Sequence, residues 1–298
     1  MKNAERDKPY SLLIMEYLNH RSSLSRIQEK YYASLKKGWE GEKQFDTLLE
    51  KIPCDHIILK DLLFKVSGTV FQIDTLLITN ETLYLYEVKN YEGEYMMENN
   101  RLIQCTSKKE VLNPTIQLER SATLLRQLLD KFEIDLTLEA YVVYINSHFT
   151  LYQLSSNQYP FILPSMIDAH LNMLGRNRKK LAQRHRDWAS YLYNEQLDIT
   201  PYLDLPEYTY EELTKGILCS QCHASIQQFT GRLVICPVCH YKETSRLSVR
   251  SHIKEYIRLF PQRKVTLSAI RNWCGHVPSA YTIRAGIKDV RSESHTGV

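Results

Sequence analysis

The sequence predicts an α/β protein with an α-β-β-β-α-β core, followed by a small cysteine-bearing segment and a short helical region. Three observations predict it. Two strand-like runs, Phe71-Gln72-Ile73-Asp74-Thr75-Leu76-Leu77-Ile78 and Leu83-Tyr84-Leu85-Tyr86-Glu87-Val88, are joined by Thr79-Asn80-Glu81-Thr82, a short loop with turn-forming Asn80. Stretches on either side of this pair carry apolar residues at helical spacing. Two Cys-x-x-Cys pairs, Cys219/Cys222 and Cys236/Cys239, stand thirteen residues apart in the last third of the chain.

The core elements follow in order. Gly38-Trp39-Glu40-Gly41-Glu42-Lys43-Gln44-Phe45 opens a helix with Phe45, Leu48 and Leu49 on one face, ending before Pro53. Ile57, Ile58, Leu59, Leu62 and Leu63 predict the first strand, and the paired runs above give the second and third. Asn113-Pro114 predicts a helix start: Asn113 is the N-cap, and Pro114 sits at N1, where its missing N–H costs nothing. Leu118, Ala122, Leu125, Leu129 and Phe132 form the stripe of that helix, and Ala140-Tyr141-Val142-Val143-Tyr144-Ile145 is the last strand. Ahead of the core, residues 10–37 carry Leu12, Leu13, Met15, Leu18, Leu24, Ile27, Tyr31 and Leu35, predicting a helix packed on it.

Chemistry concentrates in the central hairpin. Alternation puts Glu87 and Lys89 on one face of their strand. With a two-residue loop, Thr79 pairs with Thr82 and Asp74 falls opposite Glu87, where Cβ atoms are about 4.5–5.5 Å apart. A Glu-x-Lys strand is ordinarily a solvated face, but Asp is depleted in strands and here interrupts a buried-looking run. Two facing carboxylates cost energy unless a cation or proton neutralises them. With an ammonium one step further on, they form a site for a divalent cation and an attacking water, the arrangement of phosphodiester hydrolysis.

The element order, with Glu in the first helix, Asp in the second strand, Glu-x-Lys in the third and Gln in the next helix, resembles the PD-(D/E)xK nuclease superfamily and its restriction-endonuclease-like fold. More narrowly, Gly38-x-x-Gly41-Glu42, Asp74, Glu87-Val88-Lys89-Asn90, Gly93 and Asn113-Pro114-x-x-Gln117 resemble the nuclease-related domain family over roughly residues 36–150. The resemblance implies that Asp74 and Glu87 bind Mg²⁺ or Mn²⁺, that Glu42 approaches the ion from its helix, that Lys89 orients or activates water, and that Gln117 completes the site. Glu42 in a first helical turn equally suits the helix dipole, and Gln117 can instead be solvated. Tyr95-Met96-Met97 stands where the family often has tryptophan, a departure that touches packing.

Two Cys-x-x-Cys knuckles at this separation predict one zinc held by Cys219, Cys222, Cys236 and Cys239, with residues 227–235 as a hairpin between them. The segment resembles zinc ribbons. The rival reading is a pair of disulfides or a redox motif; without a signal peptide a cytoplasmic location is expected, where thiols stay reduced. Cys54, Cys105 and Cys274 are scattered and read as apolar fillers.

The expected organisation is an N-terminal helical segment at 1–36, a nuclease-like domain at 37–195, a linker at 196–216, a zinc ribbon at 217–245 and a basic helix-turn-helix-like domain at 246–298. In the last, Ile253, Tyr256, Ile257 and Phe260 give a helix stopped at Pro261. Thr266 caps a second helix that ends at Gly275, and Pro278-Ser279 opens a third whose polar positions Ser279, Tyr281, Thr282, Arg284 and Lys288 are placed to face a major groove. A three-helix interaction bundle fits the same pattern. Net charge is +4 overall, yet residues 240–298 hold 11 Lys/Arg against 4 Asp/Glu, so a polyanion is the expected partner. The run Arg176-Asn177-Arg178-Lys179-Lys180, continuing to Arg184 and Arg186, reads as a solvated helical face or a phosphate contact. No stretch is long and apolar enough for a membrane span. The expectation is therefore a Mg²⁺- or Mn²⁺-dependent nuclease acting on nucleic acid, most simply DNA. The alternatives are action on RNA and a non-catalytic nucleic-acid-binding or adaptor protein that keeps the fold.

Overall fold

Helix α1 spans Tyr10–Arg21 and α2 spans Arg26–Leu49, so the single helix expected over 10–37 is broken at Ser22-Ser23-Leu24-Ser25. Serines compete for backbone hydrogen bonds inside helices and favour caps. Here the Gln28 amide N–H donates to Ser25 Oγ at 3.3 Å, and Ser25 N–H donates to Gln28 Oε1 at 2.8 Å, a reciprocal cap. The computed structural model describes residues 5–152, 159–177, 179–197, 205–229 and 231–295. Contacts divide the chain into two units: the described parts of Met1–Pro9 and Ala33–Leu203, and those of Tyr10–Tyr32 and Asp204–Val298.

The first unit is a mixed α/β core. Strands β1 (Ile57–Val66), β2 (Thr69–Ile78) and β3 (Thr82–Lys89) precede β4 (Gly93–Glu98), β5 (Arg101–Gln104) and β6 (Glu110–Val111). Helix α3 (Pro114–Lys131), β7 (Thr137–Tyr144), β8 (Phe149–Tyr152), β9 (Phe161–Ile162), α4 (Ile167–Gly175) and α5 (Gln183–Glu195) follow. The main sheet has the order β1-β2-β3-β7-β9, antiparallel through β3 and parallel beyond it; a second sheet is ordered β6-β5-β4-β8. The expected α-β-β-β-α-β order is present, and β4, β5 and β6 are inserted between β3 and α3. Tyr95 and Met97 of β4 are buried in the core with Tyr91 and Phe149 beside Tyr95.

The sheet separates two apolar layers. Leu83 and Leu85 of β3 pack with Leu118, Leu125 and Leu129 of α3, while Tyr86 and Val88 pack with Phe45 and Leu49 of α2. Alternation along β3 therefore assigns Glu87 and Lys89 to the α3 side. Asn113 caps α3 as expected: its Oδ1 accepts from the Thr115 amide at 3.1 Å.

Of the charged run, Arg184 and Arg186 lie exposed on helix α5, while Arg176, Lys179 and Lys180 lie outside any helix. Helix α5 begins only at Gln183; the Asn80 amide donates to the Lys180 carbonyl at 2.9 Å, and Lys179 pairs with Glu81. These contacts secure the β2–β3 turn. Arg178 and residues 198–204 of the expected linker lie outside the described residues.

The second unit joins α1 to β10 (Ile217–Leu218), β11 (Ser225–Ile226), β12 (Leu233–Ile235), β13 (Lys242–Thr244), α6 (Ser245–Leu259), α7 (Leu267–Trp273) and α8 (Ala280–His295). Helix α1 thus belongs with the C-terminal elements, not with the nuclease-like core as expected. Its Arg21 explains this: Nε and Nη2 donate to Glu255 at 2.8 and 2.6 Å, Nη1 donates to the carbonyls of Thr214 and Gly216, and the guanidinium lies 4.3 Å from the Trp273 ring centre. A buried cation needs its partners, and these lie on α6 and the segment before β10. Thr266 caps α7, as expected, and Ser279 caps α8. Gly275, at φ +64°, has no room for a side chain, since a Cβ would lie 2.9 Å from Gly216 Cα. Among the described residues no helix is long and apolar enough to cross a membrane.

Candidate active site

The β2–β3 turn has the two-residue loop expected: Thr79 N–H donates to the Thr82 carbonyl at 2.9 Å. Register runs Ile78↔Leu83, Leu77↔Tyr84, Leu76↔Leu85 and Thr75↔Tyr86, and there the ladder stops. One step on, Val88 N–H donates to Asp74 Oδ2 at 2.8 Å, so a side-chain carboxylate takes up a backbone donor. The Asp74 carbonyl accepts from Arg6 Nη2 at 2.7 Å.

The neighbouring strand breaks at the same level. Pairing of β1 with β2 passes from Lys60↔Thr75 to Leu62↔Ile73, leaving Asp61 and Asp74 out of the ladder. Asp61 has φ +52°, left-handed backbone inside a strand. Inward-facing residues change parity there, from Leu59 to Leu62 and Phe64 on β1, and from Phe71 and Ile73 to Leu76 and Ile78 on β2. Such local irregularities re-aim side chains, and this one frees Asp74 from the sheet.

Asp74 and Glu87 are 7% and 2% exposed. Lys89 Nζ donates to Glu87 Oε1 at 2.6 Å and to Gln117 Oε1 at 3.3 Å, so Glu87, Lys89 and Gln117 meet. Burial, then the Asp74 carboxylate, pushes Glu87 up to about 8. Burial also raises Asp74, against the pull of Lys89 and the Val88 N–H. Burial disfavours the charge on Lys89, but Glu87 and Asp74 hold its ammonium above the ordinary value. The carboxyl groups cannot all ionise without added positive charge.

Glu42 lies on α2, where burial and the Asp74 carboxylate push it up to about 8, against Arg6. Its carboxylate accepts from Arg6 Nη1 at 2.8 Å. It does not converge with Asp74 and Glu87: among the described residues, the one group of three or more potential metal-binding side chains with ligand atoms within 4.8 Å is the cysteine set. Gly41 has a steric reason, because a Cβ there would lie 2.7 Å from Asn90 Cβ. Asn90 in turn donates to the Lys37 carbonyl at 2.7 Å and accepts from Asn146 Nδ2 at 3.0 Å, tying α2, β3 and the end of β7 beside Lys89. Arg6, Asp46, Asp61 and Asn146 were not among the expected site residues. Asp61 had one sequence cue, an acid between two apolar doublets of β1.

In the second unit, Cys219, Cys222, Cys236 and Cys239 bring all four Sγ atoms within 4.8 Å, with 3.6 Å between Cys219 and Cys239 and 3.5 Å between Cys222 and Cys236. Tetrahedral zinc with Zn–S of about 2.3 Å needs sulfur separations of about 3.8 Å, so the set fits. The two knuckles are built alike: His223 and His240, both at φ +58°, close them by donating to the carbonyls of Cys219 and Cys236. Each knuckle lies within its own hairpin, β10–β11 and β12–β13. The expected hairpin at 227–235 is therefore corrected: Leu233–Ile235 form β12 of the second hairpin, residues 227–232 run between the two hairpins, and Thr230 lies outside the described residues. The buried His252 secures the ribbon to α6, accepting from Leu218 N–H at 2.9 Å while its other ring nitrogen lies 2.8 Å from the Ser248 carbonyl.

No curated protein and no solved structure matches the chain. Residues 37–145, the stretch that holds Glu42, Asp74, Glu87, Lys89 and Gln117, match the family model of the nuclease-related domain.

Proposed function

We propose that this protein is a metal-dependent nuclease that hydrolyses phosphodiester bonds, with DNA as substrate. The observation that carries the reading is the break in the β2–β3 ladder, which presents buried Asp74 and Glu87 beside Lys89. Two hard oxygen donors with excess negative charge suit Mg²⁺ or Mn²⁺, and Asp74 and Glu87 would hold the ion. Such an ion, when bound, lowers the pKa of water and offsets charge on the phosphate.

The remaining roles belong to the chain. Lys89, fixed between Glu87 and Gln117, places an ammonium where the nucleophile or the phosphate oxygens gather charge. Gln117 accepts from Lys89 and so sets its position. Val88 N–H holds one Asp74 oxygen, fixing the carboxylate's direction. Glu42 is engaged by Arg6 and would not ligate the ion. Cys219, Cys222, Cys236 and Cys239 would hold a structural zinc, a role that suits a reducing, cytoplasmic setting. The basic surplus of residues 240–298 and the exposed Tyr281, Arg284 and Lys288 of α8 support nucleic acid, DNA in particular, as the partner.

The test is incubation of the purified chain with supercoiled, linear and single-stranded DNA and with RNA, in Mg²⁺ or Mn²⁺, beside Asp74→Ala and Glu87→Ala. Cleavage of DNA that requires the ion and both carboxylates is expected. Binding without cleavage of any substrate would make the protein a non-catalytic nucleic-acid-binding factor.

A further inference from the structure

Arg6 is the most heavily engaged side chain beside the site. Its Nε and Nη2 donate to the two Asp46 oxygens at 2.8 and 3.1 Å, its Nη1 to Glu42 at 2.8 Å, and its Nη2 also to the Asp74 carbonyl at 2.7 Å and to Thr75 Oγ1 at 2.8 Å. The side chain is 1% exposed, so it is not available to a phosphate arriving from solvent. Its contacts lie instead between the two acids that α2 presents to the sheet and the backbone of Asp74. A second divalent ion shared by Glu42 and Asp46 would compete with Arg6 for the same carboxylate oxygens.

The charges support the same conclusion. Glu42, Asp46, Asp61, Asp74 and Glu87 crowd this corner, and Glu42 feels Asp74, Asp61 and Asp46 as like charges. The cations supplied by the chain divide them. Arg6 takes Glu42 and Asp46, with Lys60 3.7 Å from Asp46; Lys89 takes Glu87. A guanidinium forked over a carboxylate holds it in place and supplies a fixed positive charge.

We propose that Arg6 is the resident cation of this site: it holds Glu42 and Asp46 out of the coordination sphere, so that Asp74 and Glu87 take a single divalent ion. The inference rests on the nuclease reading above and deepens it. Arg6 is a positioning residue, acting through the two carboxylates it fixes.

The test is Mn²⁺ binding to the full, zinc-loaded chain without substrate, followed by the electron paramagnetic resonance of free Mn²⁺. The wild type should bind one ion. Asp74→Asn should weaken that binding by about tenfold or more, since affinity at oxygen sites follows ligand charge, whereas Glu42→Gln should leave it unchanged. Arg6→Gln should gain a second ion, lost again when Glu42→Gln is added, and Arg6→Lys should keep single-ion stoichiometry. Two ions in the wild type with one lost in Glu42→Gln, or a folded Arg6→Gln that still binds one, would overturn the role of Arg6. If Arg6→Gln does not fold, Glu42→Gln decides: unchanged binding supports the proposal, and a loss matching that of Asp74→Asn overturns it. Absence of Mn²⁺ binding in the wild type, or binding indifferent to Asp74→Asn, would instead overturn the metal reading itself.

Discussion

Asp74 accepts the amide of Val88 at the step where the β2–β3 ladder ends, so one carboxylate both closes the hairpin and opens the site. The two roles separate in Asp74→Asn. An amide oxygen can still accept from Val88 and carries no charge to bury, so the variant should unfold at the same temperature as wild type or higher without added divalent ion. Cleavage should be lost. Calorimetry beside a plasmid-cleavage assay checks both; a large fall in unfolding temperature would mean that the charge itself holds the hairpin.

The buried carboxyls make stability depend on pH. Glu42 and Glu87 are raised from 4.5 to about 8 when folded, so the folded state binds more protons than the unfolded chain between those values. Their contribution is complete below pH 4.5 and is lost as pH rises through 8. The unfolding temperature of the first unit should therefore fall by several degrees from pH 6 to pH 9, and added Mn²⁺ should reverse part of the fall by favouring the ionised forms. A flat profile between those values would contradict the assignment.

Gly41→Ala places a Cβ against Asn90, which is bonded to both Lys37 and Asn146. Overpacking of this kind costs about 1–3 kcal/mol, more than the gain from removing a helical glycine. Chemical denaturation should show the loss, and cleavage should fall with it because Asn90 adjoins Lys89.

The cysteine set should hold about one zinc per chain, measured by elemental analysis. Cys236→Ser should release it and unfold the two ribbon hairpins, since metal binding there is folding free energy. Metal-dependent cleavage by the first unit should survive. A native Cys219–Cys222 disulfide, detected by mass spectrometry under non-reducing conditions, would contradict the assignment.

Arg284 is exposed on α8 near exposed Tyr281 and Lys288. Arg284→Glu in the full chain should weaken duplex DNA binding and reduce the slope of affinity against salt by about 1. Unchanged affinity at low salt would make the helical bundle a protein-interaction module.

The hairpin register was legible because a two-residue turn and a period of two leave one solution: Thr79 and Thr82 close it, and Thr75 pairs with Tyr86; the end of the ladder before Asp74 and Glu87 was not legible, because it depends on the break at Asp61. The caps at Asn113 and Thr266 were legible because capping is local chemistry. Strands β4, β5 and β6 were not, since Arg101–Gln104 and Glu110–Val111 are too short and polar to show a period. The partner of α1 was hidden as well: an apolar stripe at Leu12, Met15 and Leu18 does not say which core it joins, and Arg21 meets Glu255 across more than 200 residues. Arg6 gave no local signal either, because its meaning lies wholly in Glu42, Asp46 and Asp74, which only the fold brings to it.

Lys89→Ala tests the account most directly when Mn²⁺ binding and DNA cleavage are measured on the same sample. Removal of one preorganised charge costs about 100–1000-fold in rate, so cleavage should fall by that amount while Asp74 and Glu87 still bind the ion. Cleavage by Lys89→Ala at the wild-type rate, or no metal-dependent cleavage by the wild type on any nucleic acid, would contradict the account.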